Sequence, residues 1–236
     1  MKEIRQLIRE MLLEESMSQV AKANSQGLAV WAIAGAFSRV IIYDPEVIKR
    51  LYKEYKETYG FKRGQYNFIH NSEDEVSIVK AGVTTASSVK GCNRASEVLK
   101  AASEAGSGLG PAAYEIAMYY SKNGLTSDRI AVSDSASSVW EKYKNRSDVE
   151  SLKFDDIDDP RTVPTDDDCR LHKDRAQLNR SYTLKNKPDG LDEMESRHEE
   201  MLSFYDEFIG EKGKLENELT IMNNRLFSQR YDEEND

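Results

Sequence analysis

The chain is 236 residues long and carries 33 Lys and Arg against 42 Asp and Glu, a net charge of -9. The charge is uneven, since residues 1–150 hold 20 basic and 19 acidic side chains while residues 151–236 hold 13 and 23. Neither part offers the basic surface that displaces counterions from phosphates, which argues against general nucleic-acid binding and against docking on an anionic membrane.

The opening segment MKEIRQLIREMLLEE places Ile4, Leu7, Ile8, Met11 and Leu12 at spacings of mostly three and four, and this predicts an amphipathic helix reaching Val20. Arg and Glu interrupt its apolar positions, unlike those of a secretory leader. The longest apolar run, residues 28–35, is too short to cross a bilayer, so the expected compartment is cytoplasmic. In such a compartment Cys92 and Cys169, far apart and outside any CxxC pair, read as free thiols. LAVWAIA and SRVIIY then predict two strands, and Asp44-Pro45 opens a helix that stops near Gly60. YNFIH and EVSIVKAGV predict two further strands, followed by ASEVLKAAS, whose place before a glycine-rich turn favours strand over helix. AAYEIAMYYSKNG and SDSASSVWEKYKNR are both helical in pattern, the second capped near Ser133.

From residue 151 the chain changes character. Seven aspartates between 155 and 168, with two prolines, predict an acidic loop over 151–189 that buries little. They lack the D-x-D-x-D-G order of a calcium loop, and a solvated segment is the preferred reading. Over 190–236 Leu191, His198, Tyr205, Lys212, Leu219 and Leu226 recur every seven residues, as do Met194, Met201, Phe208, Leu215 and Met222. These are the a and d positions of one heptad register, with His198 as a tolerated imperfection. Either one long helix pairs as a coiled coil with a partner, or a hairpin turns at IGEKG. The unbroken register favours the long helix.

The stretch with most chemical content is GSGLGP, residues 106–111, leading straight into a helix. Closely spaced glycines let backbone amides approach an anion, and the helix start adds unpaired N–H groups and its dipole. No Lys-Ser or Lys-Thr follows, which excludes a Walker A loop. Four predicted strands precede it, which disfavours a dinucleotide-binding fingerprint.

GSGLGPAAYEIAMYYSKNGL, then GLTSDR, then S-x-x-A-x-x-V-W-x-x-Y over 133–143 resemble the GNAT-type N-acetyltransferase superfamily, in wording similar to GNAT-like proteins of tailed bacteriophages. The resemblance covers roughly residues 27–150. It implies an α+β fold with a mixed, largely antiparallel sheet flanked by helices, and an acyl-CoA-binding domain over 21–150. It further implies acetyl-CoA as acyl donor and an amine acceptor, on a protein or a small molecule. Gly106, Gly108, Leu109, Gly110, Ala112 and Ala113 would hold the pyrophosphate. Two positions depart from the family motif. Its Gln or Arg falls on Ser103 or Ala105, and its proton-donating Tyr falls on Trp140, so Tyr143 or Ser133 would have to return the proton to the thiolate. Glu97 is placed where a general base often lies.

The sequence leaves two rivals. One is a non-catalytic virion or assembly protein that docks through its terminal helices, and the other is a cysteine hydrolase built on Cys92 with His70.

Overall fold

The computed structural model describes residues 18–34, 38–60, 78–87, 91–104, 106–158, 165–209 and 214–235. Most of the predicted N-terminal helix, the predicted strand YNFIH and His70 lie outside them. In chain order the elements are α1 (Gln19–Ser25), β1 (Ala29–Ile33), β2 (Arg39–Tyr43), α2 (Pro45–Tyr59), β3 (Val79–Ser87) and β4 (Ser96–Ser103). There follow α3 (Gly110–Tyr120), β5 (Leu125–Thr126), α4 (Asp134–Lys144), β6 (Val149–Lys153), β7 (Asp155–Asp156), β8 (Asp168–Cys169), β9 (Arg180–Leu184), α5 (Leu191–Phe204) and α6 (Lys214–Asn235). The fold is α+β. Its seven-stranded sheet runs β1-β2-β3-β4-β5-β9-β6, antiparallel except where β4 meets β5.

Both faces of the sheet are covered, and the strands show it. Val40 and Ile42 of β2 enter one core while Ile41 and Tyr43 enter the other, so β2 is apolar without alternation. On the first face α1, α3 and α4 close over the sheet, and on the second α2 and α6 do so. Helix α3 is buried from Ala112 through Met118, because neighbours enclose it on every side. Its one charge, Glu115, pairs with Arg146, and Arg146 also pairs with Asp148 at 2.5 Å. Burial raises the Glu115 carboxyl above its usual range, and the hydrogen bond from Arg146 lowers that of Asp148. Asp44 caps α2 as its sequence foretold, accepting from the Glu46 N–H at 2.9 Å, and Ser133 caps α4.

Three expectations give way. Residues 151–189 are not an outlying acidic loop: β9 is inserted between β5 and β6, and Phe154, Cys169, Leu178 and Tyr182 are buried. Most of the aspartates face outward while single apolar residues between them reach the core, a pattern that composition alone hides. Cys92 and Cys169 are not free thiols, for they form a disulfide with Cα atoms 4.7 Å apart. Strand β8 brings Cys169 beside the turn before β4, a pairing that a separation of 77 residues does not reveal.

The heptad segment is not one long helix. The π-helical turn Tyr205–Ile209 ends α5, and α6 returns alongside it: Tyr205 donates to Glu218 at 2.7 Å, and His198 lies 4.0 Å from Glu216. In a continuous helix the latter pair would stand about 27 Å apart. Leu191, Met194, Met201, Leu215, Leu219, Met222 and Leu226 are buried in the chain's own two cores. A heptad stripe records that a helix face is covered, and here the sheet covers it. His198 hydrogen-bonds the Tyr43 hydroxyl at 2.9 Å and stacks near Trp31, and burial lowers its pKa to about 4. Among the described residues no helix is long and apolar enough to cross a membrane.

Candidate functional site

The parallel pair β4/β5 is short. Ser96 faces Leu125 and Glu97 faces Thr126, after which β5 ends. From Val98 to Ala102, β4 pairs with β3 alone among the described strands, and Leu99, Lys100 and Ala101 are exposed, so among the described residues this side of the strand carries no neighbouring strand. That side leads to the glycine loop.

The loop is built by local hydrogen bonds. Ser107 turns the chain after Glu104, its N–H and hydroxyl both donating to the Glu104 carbonyl, at 3.2 and 2.8 Å. Gly106 and Gly108 hold φ of +71° and +68°, a region costly for residues with a Cβ, and open space stands where side chains would point. The N-cap residue Leu109 supplies no side-chain cap to α3. The N–H groups of Gly106, Gly108, Gly110 and Ala112 have no acceptor among the described residues. Uncapped amides at the positive end of a helix dipole suit a phosphate-like anion.

The predicted loop residues divide accordingly. Gly106, Gly108 and Gly110 present spare donors, while the Ala112 N–H belongs to a fully buried residue. The Leu109 N–H meets Ser107 Oγ at 3.3 Å, and the Ala113 N–H is spent on the Leu109 carbonyl at 3.2 Å in the first helical bond. Ser103, one of the two positions for the missing long polar side chain, stands beside Gly110.

The predicted catalytic residues are not brought together. Glu97 sits near the other end of β4, about 20 Å along the strand from the loop, with Oε1 accepting the Arg129 N–H at 2.8 Å. Its Oε2 has no partner among the described residues. Tyr143 is buried among aromatics beneath α3 and donates its hydroxyl to the Pro111 carbonyl at 2.7 Å. Burial pushes its pKa well above the ordinary value, so this hydroxyl braces the first turn of α3 and has no route to a leaving thiolate. Trp140 packs on Tyr114 and Tyr182 in the same cluster. Ser133 Oγ accepts the Ala136 N–H and meets Ser135 Oγ at 2.9 Å, as a helix cap.

Arg129 escaped the sequence reading. Its guanidinium is held by the Ser127 carbonyl at 3.0 Å, the Ser127 hydroxyl, the Leu178 carbonyl and the Phe154 ring, and lies 4.0 Å from Cys169 Sγ. Burial lowers its pKa to about 10, which leaves it a cation at neutral pH. A lone Arg after Ser-Asp carries no sequence signal, since beyond Ser127 its partners Phe154, Cys169 and Leu178 arrive from far along the chain. Among the described residues no cluster of three or more His, Cys, Asp or Glu could hold a metal ion. No protein-family model, curated protein or solved structure was matched by this chain.

Proposed function

We propose that the chain is an acetyl-CoA-dependent N-acyltransferase of GNAT type, with the unpaired side of β4 beyond β5 as its donor site. The observation that carries the reading is this unpaired side of β4 running into an uncapped glycine loop. An acyl-CoA offers both matching parts. Its pyrophosphate suits the amides of Gly106, Gly108 and Gly110, and the amides of its pantetheine arm suit the unpaired side of β4 as an added strand would. The mixed sheet, whose one parallel pair joins the start of β4 to β5, is compatible with the family resemblance.

The arm would run along β4 towards Glu97. There a neutral amine attacks the thioester carbonyl, the C–N bond forms, and the C–S bond breaks with its electron pair leaving on sulfur. Glu97 Oε2 takes the ammonium proton, while the Arg129 N–H fixes the other oxygen and so orients the base. With Tyr143 and Ser133 both engaged in structural hydrogen bonds, the leaving thiolate takes its proton from solvent.

Thermal denaturation with CoA and acetyl-CoA tests the reading. At ligand concentrations about a hundredfold above Kd the melting temperature should rise by about 5 °C or more, and Gly108→Trp should abolish the rise. No rise in the unchanged chain, or an equal rise in the variant, overturns the donor site. The rival of a docking protein must use a surface other than the heptad stripe, which the chain itself covers. A cysteine hydrolase on Cys92 loses its nucleophile to the disulfide. An acyl-CoA donor implies a cytoplasmic setting, where lasting disulfides are uncommon, and on that reading Cys92–Cys169 calls for its own account.

A further inference from the structure

The two sulfurs of the disulfide occupy different environments. Cys169 is 1% exposed and faces the fixed Arg129 guanidinium at 4.0 Å. Cys92 is partly exposed, in a turn where Cys92, Asn93 and Arg94 all hold φ between +51° and +56°. Beside that turn lies a shallow depression of about 520 Å³, lined by Asn93, Arg94, Lys122, Glu150 and Asp166 among others. It presents Lys122 and Glu150, together with the exposed Arg94–Asp166 ion pair at 3.2 Å, whose Arg94 lies two residues along the chain from Cys92.

We infer that Cys92–Cys169 is a thiol-exchange site, with the depression receiving a low-molecular-weight thiol that carries both carboxylate and ammonium groups. Lys122 meets one carboxylate of such a thiol and Glu150 its ammonium group, while the second carboxylate meets Arg94 by displacing Asp166 from the exposed ion pair. The thiol first loses its proton to solvent. Its thiolate attacks Cys92 Sγ, the new S–S bond forms, and the bond to Cys169 breaks with its electron pair on Cys169 Sγ. The Arg129 cation stabilises that thiolate, and a stabilised thiolate is the better leaving group. A second thiol then attacks the mixed disulfide on its non-protein sulfur and releases Cys92. In sum, two thiols are oxidised to one small disulfide and the protein disulfide is reduced to two thiols. The direction of attack follows from exposure on one side and from the cation on the other. Such exchange agrees with a cytoplasmic setting, in which protein disulfides are transient. It does not depend on acyl-CoA binding.

The test is exchange of the full-length oxidised protein with reduced glutathione, quenched by alkylation and resolved by peptide mass spectrometry. The adduct should form on Cys92, with Cys169 alkylated. An adduct on Cys169, or no exchange at thiol concentrations that reduce the denatured chain, overturns the site. In the Arg94→Ala/Lys122→Ala double variant, both positions being at the surface, exchange with glutathione should slow about five-fold while exchange with uncharged 2-mercaptoethanol keeps its rate. Equal rates for both thiols before and after the substitution, or equal slowing of both, overturn the docking role of the depression. Arg129→Gln should slow exchange with either thiol. Should that variant fail to fold, the position of the adduct on the unchanged chain still decides the direction of attack.

Discussion

At its C-terminal end β4 runs into a loop where Gly106 and Gly108 face open space, whereas at its N-terminal end a Cβ on Gly91 would stand 2.1 Å from the Asp168 carbonyl oxygen. One end has amides to spare. The other is crowded and cross-linked, with Asn93 donating to the Asp166 carbonyl at 2.7 Å and Cys92 bound to Cys169. The difference teaches how one strand serves two tasks. If the loop holds the acyl donor, its donors must stay unsatisfied, and the strand that carries it must be anchored elsewhere so that the opening costs no order.

The anchored end should give the largest effects on substitution. Replacing both Cys92 and Cys169 by Ala removes a cross-link over 77 residues and should cost about 4 kcal/mol, read by urea denaturation. A loss below about 1 kcal/mol would mean that the hydrogen bonds of the turn suffice without it. Gly91→Ala combines φ of +87° with the backbone clash and should cost about 3 kcal/mol.

Acid sensitivity should come from neither end of β4. His198, in the helical hairpin, has a folded pKa of about 4 against 6.5 unfolded, so the unfolded chain binds its proton first. Its neutral form fits the fold fully above pH 6.5, and stability falls as the pH drops from there towards 4, by about 3 kcal/mol in all. His198→Gln should flatten that limb in a pH series of melts. A limb that persists would point to other groups.

The open end should be more tolerant. Gly106→Ala meets no atom and should cost only the about 1–2 kcal/mol of a left-handed backbone, while weakening anion binding. Tyr143→Phe removes one hydrogen bond to the Pro111 carbonyl and should cost about 1 kcal/mol, with little effect on acyl transfer if the hydroxyl is a brace. A large drop in kcat with unchanged stability would return Tyr143 to the chemistry.

Much of this was legible in the residues themselves. The strands at 28–34 and 38–43, the Asp44 cap, the strand at 96–103 and the glycine loop into α3 all appear where local pattern placed them. These are short-range matters: β-branched runs, a capping side chain and closely spaced glycines act within a few residues. That Gly106, Gly108 and Gly110 would leave N–H groups without an acceptor among the described residues was legible for the same reason. That Tyr143 would be buried and Glu97 tied to Arg129 was not, because burial depends on what arrives from the other face of α3 and from β5.

The sequence by itself determined an α+β chain with a glycine-rich helix start and an apolar heptad stripe. Only the tertiary structure decided that the stripe folds back on its own sheet, that β9 from the acidic third slides between β5 and β6, and that Cys92 meets Cys169. The physical reason is the same in each case. Periodicity and composition report which side chains must leave water, while the surface that covers them is set by pairings across long stretches of chain.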